Sequence, residues 1–308
     1  MIRHSTAPHA KSVHWTDYGL LLVLASVWGA SYTFIKIGVE TIPPVTLIAA
    51  RTLIASAVLV GVMRSWGVPF PKDRSLWRLF AFQALMNSVL PFTLIAWAER
   101  SIDAGLAAIL NSTTPIFTYL ITVAITRHEP AGLRKLVGIA LGLAGICLVI
   151  GVEALDGIGI ALLAQLAVVL ATVCYAVAAI FGRNFRGLDP MVPAAGSLLA
   201  GAAILVPLSL IVDRPWTLSP SRESLLALLG LSVVSTALAF TIYFRLLRTL
   251  GSVGTTAQAY LRVPVGVAIG VFALGETLAS TAAAGLVCVV LGVAAMTLPS
   301  RGAAVRSA

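Results

Sequence analysis

The sequence contains little charge, and this scarcity excludes a water-soluble globular domain. Asp, Glu, Lys and Arg make up 11% of the 308 residues, against roughly 25% in a typical soluble domain, and the mean hydropathy is +0.98. A bilayer core is about 30 Å thick, so one helical crossing needs roughly 20 apolar residues. Ten windows of about that length predict ten transmembrane helices, over residues 18–37, 45–63, 76–98, 104–126, 133–151, 158–181, 192–212, 224–247, 253–274 and 280–298.

The predicted spans also lack the side chains that membrane enzymes use. All three cysteines fall inside apolar spans, where a thiol acts as a small hydrophobe and disulfide frameworks are not built. No histidine lies at membrane depth for acid–base or metal chemistry, because the four are His4, His9, His14 and His128 in the tail and one short loop. No Gly-x-Ser-x-Gly, His-Glu-x-x-His or deep carboxylate pair is present. We therefore expect no enzymatic activity, no cofactor and no metal site.

Positive charge is concentrated on one set of loops. The formal net charge is +9, which would suit a nucleic-acid partner, but the positions of the charges argue against one. If the N-terminus is cytoplasmic, the loops on the opposite side contain only Arg100, Arg214 and Arg222 among basic residues. By the positive-inside rule, this bias predicts a multi-pass inner (plasma) membrane protein with both termini in the cytoplasm.

An internal repeat divides the chain into two halves. Phe92-Thr93-Leu94 with Arg100 recurs at the same spacing as Phe240-Thr241-Ile242 with Arg248. Further matched residues are Glu129, Gly138 and Gly145 with Glu276, Gly285 and Gly292, and Pro115 with Pro264. Five crossings per half is an odd number, so the second half enters the membrane from the opposite side. We predict an all-α polytopic membrane protein of two inverted five-helix repeats, residues 18–151 (helices 1–5) and 158–298 (helices 6–10), flanked by cytoplasmic tails 1–17 and 299–308.

Residues in both halves resemble the EamA repeat. They are Trp28-Gly29-Ala30-Ser31-Tyr32 with Lys36, Pro44 followed by Arg51, and the segments from Pro115 to Glu129 and from Pro264 to Glu276. Over residues 18–298 the chain resembles a ten-helix member of the drug/metabolite transporter superfamily. The resemblance implies that helices 1–4 and 6–9 surround a central cavity, that helices 5 and 10 are peripheral, and that the protein exports amino acids or other small metabolites.

Arg262 departs from this resemblance, because the family usually has an apolar or small polar residue there. At about 1.5 Å per residue it lies roughly 13 Å inside span nine. A charge at the bilayer centre costs at least about 2.5–3.5 kcal/mol, so such residues are candidates for function. Thr255 and Gln258 share its helical face. Arg262 is either a substrate-binding residue or a structural charge capped by backbone carbonyls that Pro264 frees.

Other polar and aromatic side chains in the spans are candidates to line the cavity, with interhelical hydrogen bonding as the alternative. The predicted substrate-binding residues are Arg262, Gln258, Tyr260, Tyr32, Asn87, Asn111, Tyr175 and Arg51. Pro115 and Pro264 occupy equivalent positions in the two halves, where each removes a helical hydrogen bond. We predict that these two prolines are hinges.

These features favour a transporter of small molecules. A basic centre favours substrates that carry a carboxylate, and inverted repeats favour alternating access. No carboxylate stands near the middle of a span, so the proton-coupled mechanism of the small multidrug resistance relatives lacks its key residue. An intramembrane enzyme or a membrane scaffold remains the alternative. The Gly138-xxx-Gly142 pattern permits close helix approach and leaves both a monomer and a homodimer open.

Overall fold

The computed structural model describes residues 15–126, 133–150, 160–250, 255, 258–277 and 279–297. Within these residues the chain is helical, and ten membrane helices follow one another through short links. They are α1 Trp15–Gly38, α2 Pro44–Ser65, α3 Arg74–Ala98, α4 in two pieces (Ala104–Asn111 and Thr114–Thr126), α5 Leu133–Ile150, α6 Ile160–Phe181, α7 Met191–Val212, α8 Arg222–Thr249, α9 Gln258–Leu274 and α10 Ser280–Thr297.

Length and composition distinguish the helices that can cross a membrane. Seven of the described helices, α1–α4 and α6–α8, are long and apolar enough to cross a bilayer, and α9 and α10 contain the shorter apolar stretches Val265–Leu274 and Ser280–Gly292. The predicted all-α polytopic fold is confirmed. Capping fixes where one of these helices starts, since the side chain of Asp73 accepts a hydrogen bond from the Ser75 amide at 2.8 Å at the beginning of α3.

The described links between helices lie on two opposite faces of the molecule. The links after α1, α3, α7 and α9 contain Glu40, Glu99, Asp103, Asp213 and Glu276, and we call this side the acidic face. The links after α2 and α6, together with the end of α8, form the opposite side. We call it the basic face, and its charges include Lys72, Arg183, Arg186 and Arg248.

The packing of α5 against α10 shows that the two halves are inverted. A Cβ built on Gly292 would stand 2.6 Å from the carbonyl oxygen of Gly138, and one on Gly145 would stand 2.7 Å from that of Gly285. As α5 advances from 138 to 145, α10 runs back from 292 to 285, so these equivalent helices are antiparallel. The repeated glycines allow the two backbones to touch. Gly142 also faces Gly292, so the glycine pattern of α5 packs within one chain.

Two helices carry an irregularity at the same point of the repeat. Leu85–Val89 in α3 and Val233–Leu238 in α8 are π-helical, and each segment begins seven residues before the repeated Phe92 or Phe240. A π-helical turn contains an extra residue, and such turns are frequent at functional sites. The repeat therefore conserves a local backbone distortion as well as a helix order.

The two prolines predicted as hinges differ in their surroundings. α4 ends its first piece at Asn111 and resumes at Thr114, directly before Pro115, whereas α9 is continuous across Pro264. The matched interruption expected from the sequence is thus present in α4 and absent from α9. Near Pro264, α1 packs directly on the α9 backbone, because a Cβ on Gly29 would stand 2.8 Å from the carbonyl oxygen of Arg262. Such close packing supports a helix across one missing N–H.

Candidate functional site

A cavity lies between the two halves. Helices α1–α4 line it from the first half, and α6, α8 and α9 line it from the second. The lining residues in the described part of the chain are Trp28, Ser31, Tyr32, Ile35, Arg51, Asn87, Phe92, Ile95, Asn111, Thr114, Tyr175, Phe240, Tyr243, Gln258 and Arg262. None of these residues belongs to α7, which the resemblance had placed around the cavity. α7 packs behind α2 instead, where the hydroxyls of Thr46 and Ser209 are 2.8 Å apart.

The structure brings most of the predicted substrate-binding residues together. Seven of them line the cavity, namely Arg262, Gln258, Tyr32, Asn87, Asn111, Tyr175 and Arg51. The side chain of the eighth, Tyr260, lies outside the described residues. These seven side chains come from six helices of both halves, so only the fold makes them neighbours. Their role in binding stays a prediction.

The interruption of α4 explains how Arg262 is held. In a regular helix the amide of residue 115 would donate to the carbonyl of residue 111, but Pro115 has no N–H. The freed carbonyl oxygen of Asn111 accepts a hydrogen bond from Nη2 of Arg262 at 3.0 Å. Nδ2 of Asn111 in turn donates to the Tyr32 hydroxyl at 2.6 Å. The carbonyl that caps Arg262 is therefore freed by Pro115, not by Pro264.

Arg262 nevertheless keeps donor capacity for a ligand. Its side chain is 5% exposed, and no described residue accepts a hydrogen bond from its Nε. The same holds for the Nδ2 of Asn87, and the Oε1 of Gln258 receives no hydrogen bond from the described residues. Because buried polar atoms are normally paired, these atoms mark a cavity suited to a polar occupant. One nitrogen of Arg262 is structural, and the Nε edge of its guanidinium is available.

Arg51 reaches the cavity from α2 and depends on the π segment of α8. Its Nε donates to Oγ1 of Thr236 at 2.7 Å, and its guanidinium carbon lies 3.6 Å from the centre of the Phe92 ring. Thr236 donates to the carbonyl of Leu231, five residues earlier, at 2.7 Å. Within the described part of the chain, no residue accepts a hydrogen bond from the terminal nitrogens of Arg51. The π-helical turn thus positions the hydroxyl that fixes Arg51.

The two arginines make the cavity electropositive. Among its described lining residues they are the only charged side chains, and one belongs to each half. The aromatic ring beneath Arg51 and the carbonyl beside Arg262 stabilise the buried guanidinium groups without neutralising them. A planar guanidinium binds a carboxylate through two parallel hydrogen bonds. The arrangement therefore suits an anionic group.

Sequence reasoning missed one charged residue near the cavity. Glu99 follows α3 directly, and its side chain is 0% exposed although it stands at the predicted end of a span, where a charge is ordinary. Neither carboxylate oxygen accepts a hydrogen bond from the described residues. One signal was present in the repeat, because the residue before Arg100 is acidic, whereas the residue before the matched Arg248 is Leu247.

Comparison with known proteins agrees with this architecture. The sequence profile of the EamA-like transporter family matches residues 16–151 and again residues 162–298. The "Uncharacterized inner membrane transporter YedA" of Escherichia coli (strain K12) is 28% identical over 283 residues, which cover 91% of this chain and 90% of that protein. The "Probable amino-acid metabolite efflux pump" of Salmonella typhimurium is 27% identical, with 90% and 93% covered. A solved structure described only as "Crystal structure of protein" shares the fold, with a TM-score of 0.66 at 18% identity over 93% of this chain and 98% of that one.

Proposed function

Because the chain belongs to the EamA-like transporter family, we propose that it exports small carboxylate-bearing metabolites, such as amino acids, by alternating access. The family and the names of the relatives identify a multi-pass inner membrane transporter and not an enzyme. Substrate class, direction and mechanism go beyond that identification. The observation that carries the substrate class is the pair of buried arginines, one from each half, in a cavity without a described lining carboxylate, and the inverted halves support alternating access.

The chemistry of the cavity supports this substrate class. The guanidinium groups of Arg51 and Arg262 are suited to the carboxylate, and the rings of Trp28, Tyr175 and Phe240 offer an apolar wall for the rest of the molecule. The similarity to a protein named as an amino-acid metabolite efflux pump agrees with such a ligand.

The proposed orientation tells from which face an exporter takes up its substrate. Most basic loop residues lie on the basic face or in the N- and C-terminal tails, so we place that face and both termini in the cytoplasm. The acidic face then meets the external solution. An exporter loads its substrate from the basic face and releases it at the acidic face.

A binding experiment tests the substrate class. The purified protein in detergent is titrated with amino acids and, as matched ligands, with the corresponding amino-acid amides, which lack the carboxylate. We expect an amino acid to raise the apparent Tm and its amide to leave it unchanged. Uptake of the same amino acid into inverted proteoliposomes then measures transport. Equal stabilisation by amide and acid would refute carboxylate recognition.

A crosslinking experiment tests alternating access. Two cysteines are placed at the basic-face ends of α4 and α9, in a background without Cys147, Cys174 and Cys288. We expect a disulfide only while the cavity is open to the acidic face, and a change in its yield when substrate is added. If the disulfide locks these ends and flux is unaltered, the halves do not exchange conformations and the protein is a static pore.

A further inference from the structure

Hydrogen bonds join the two halves at the acidic face. Oδ2 of Asp213 accepts from both the amide and the hydroxyl of Thr46 at 2.8 Å. The carboxylate of Glu276 accepts from the amides of Ala104 and Gly105 at 2.8 and 2.9 Å, where it caps α4. Each of these bonds runs from one half to the other. Opening the acidic face by separating the halves therefore requires that they break.

The buried carboxyl group of Glu99 lies behind this set of bonds. Nζ of Lys36 donates to the backbone carbonyls of Glu99 and Ile102 at 2.9 and 2.8 Å, which fastens the α3–α4 link to the end of α1. The Glu99 side chain is fully buried, and its two oxygens receive no hydrogen bond from the described residues. Ile95, one turn earlier on α3, lines the cavity. Glu99 thus stands between the cavity and the acidic face.

Charged and titratable groups face Glu99 from three surrounding elements. They are Tyr32 and Lys36 on α1, Arg51 on α2 and Glu276 on the α9–α10 link. Burial raises the pKa of the Glu99 carboxyl well above its usual range, against the opposing attraction of Lys36 and Arg51 and with a further contribution from the negative charge of Glu276. None of the four donates a hydrogen bond to its carboxylate. The Glu99 carboxylate therefore has charged neighbours, but none of them replaces the hydrogen bonds that water would give it.

The surroundings fit a proton better than a metal cation. An ionised carboxylate in a buried site without donors loses several kcal/mol of hydration, and protonation removes that cost. A metal cation would require a shell of oxygen ligands, but the carbonyl oxygens of Glu99 and Ile102 already bind the Lys36 ammonium. Lys36 therefore occupies the position that a bound cation would take.

We propose that Glu99 is the proton-binding site of the transport cycle, taking up a proton from the acidic-face solution when that face is open and holding it when the face is closed. This inference rests on the proposed function, since it concerns the same conformational cycle. The step forms one O–H bond on a carboxylate oxygen of Glu99 and breaks one in a hydronium ion. No other reactant is needed.

Burial couples the proton to the conformation. When the acidic face opens, water reaches Glu99 and stabilises its ionised form, and closing removes that water and favours the neutral form. Low pH therefore shifts the population towards the closed acidic face, and high pH shifts it towards the open one. One coupled proton changes the ratio of the two conformations by up to about tenfold per pH unit.

Pulsed EPR distance measurements test this coupling without any substrate. Spin labels are attached to cysteines that replace Ser101 and Ser219, two exposed residues on acidic-face links of different halves, in a background without the native cysteines. In liposomes we expect the short-distance population to grow as pH falls. In Glu99→Gln, which is permanently neutral, we expect it to persist at every pH. A wild-type distance that is insensitive to pH would overturn the proposal.

Matched variants separate this effect from general electrostatics. Asp103→Asn removes an exposed carboxylate of the same link that makes no capping hydrogen bond, and we expect it to keep the wild-type pH profile. A Glu99→Gln profile equal to that of the wild type would contradict the proposal. If Glu99→Gln does not fold, infrared difference spectra provide the test, since a carboxylic-acid C=O band must appear with the midpoint of the distance change and must shift in Glu99→Asp. These measurements use no substrate, so they would give the same result if the protein did not transport amino acids. The proton-site proposal and the proposed function can therefore fail separately.

Discussion

Replacing Arg262 with lysine tests whether the cavity recognises a carboxylate through a planar guanidinium. In the structure Nη2 of Arg262 is committed to the Asn111 carbonyl at 3.0 Å, and its Nε has no described partner. Arginine can therefore hold the carbonyl with one nitrogen and a ligand with the others. Lysine has one nitrogen at the end of a flexible chain, which has to serve both acceptors.

The expected loss follows from the hydrogen bond that lysine cannot replace. A hydrogen bond to a charged group contributes about 1.5–3 kcal/mol, which corresponds to roughly a ten- to hundredfold weaker Kd for the carboxylate ligand. Arg262→Ala should weaken binding further. It should lower the free energy of unfolding by about 1 kcal/mol, because Oγ1 of Thr114 still donates to the Asn111 carbonyl at 2.7 Å.

Titration calorimetry of the purified variants measures this loss, and the apparent Tm of each ligand-free variant reports its folding. Arg64→Lys makes the same chemical change at an exposed position and should leave Kd unaltered. The reasoning is refuted if Arg262→Lys binds the amino acid as tightly as the wild type does. A loss shared equally by Arg64→Lys would also refute it, because the effect would then not belong to the cavity.

Four further outcomes are expected. Pro115→Ala restores the backbone N–H that proline lacks, and this N–H should compete with Arg262 for the Asn111 carbonyl. We expect reduced flux in proteoliposomes without loss of membrane insertion. Gly145→Ala should lower the apparent Tm by a destabilisation of about 1–3 kcal/mol because its Cβ meets a backbone oxygen, whereas Gly61→Ala, with open space around it, should be neutral. Glu276→Gln weakens the cap of α4 and should cost about 1–2 kcal/mol in unfolding experiments. Reporter fusions after residue 154 should be external, and a cytoplasmic signal would overturn the proposed orientation.

Most of the fold could be predicted because lipid forces every backbone polar group into a helix. The span predicted at 45–63 is α2 at Pro44–Ser65, and the one predicted at 192–212 is α7 at Met191–Val212. The π-helical segments of α3 and α8 could not be predicted. One extra residue in a turn changes neither hydropathy nor its helical period, so it leaves no signal in the composition.

The sequence predicted which residues line the cavity, but it did not predict which of their atoms are in contact. Polar side chains deep in apolar spans identified seven lining residues, since burial of such groups needs a reason. Which atoms meet depends on tertiary packing, because Arg51 and Thr236 are 185 positions apart and Arg262 and Asn111 are 151 apart. Glu99 was missed because its burial arises from the packing of the acidic-face links.

The features that the two halves share concern helix packing, whereas the charged residues at and near the cavity differ between the halves. The two halves share their glycines, their repeated phenylalanines and their π-helical segments, which are the features that let helices pack and bend alike. The charged residues at the cavity are each present in only one half. When Pro44 is aligned with Pro190, Phe92 with Phe240 and Pro115 with Pro264, the charged residues and their counterparts are Arg51 and Ser197, Glu99 and Leu247, and Arg262 and Thr113. In the proposed alternating-access mechanism, a symmetric frame exchanges conformations while it holds this asymmetric set of charges.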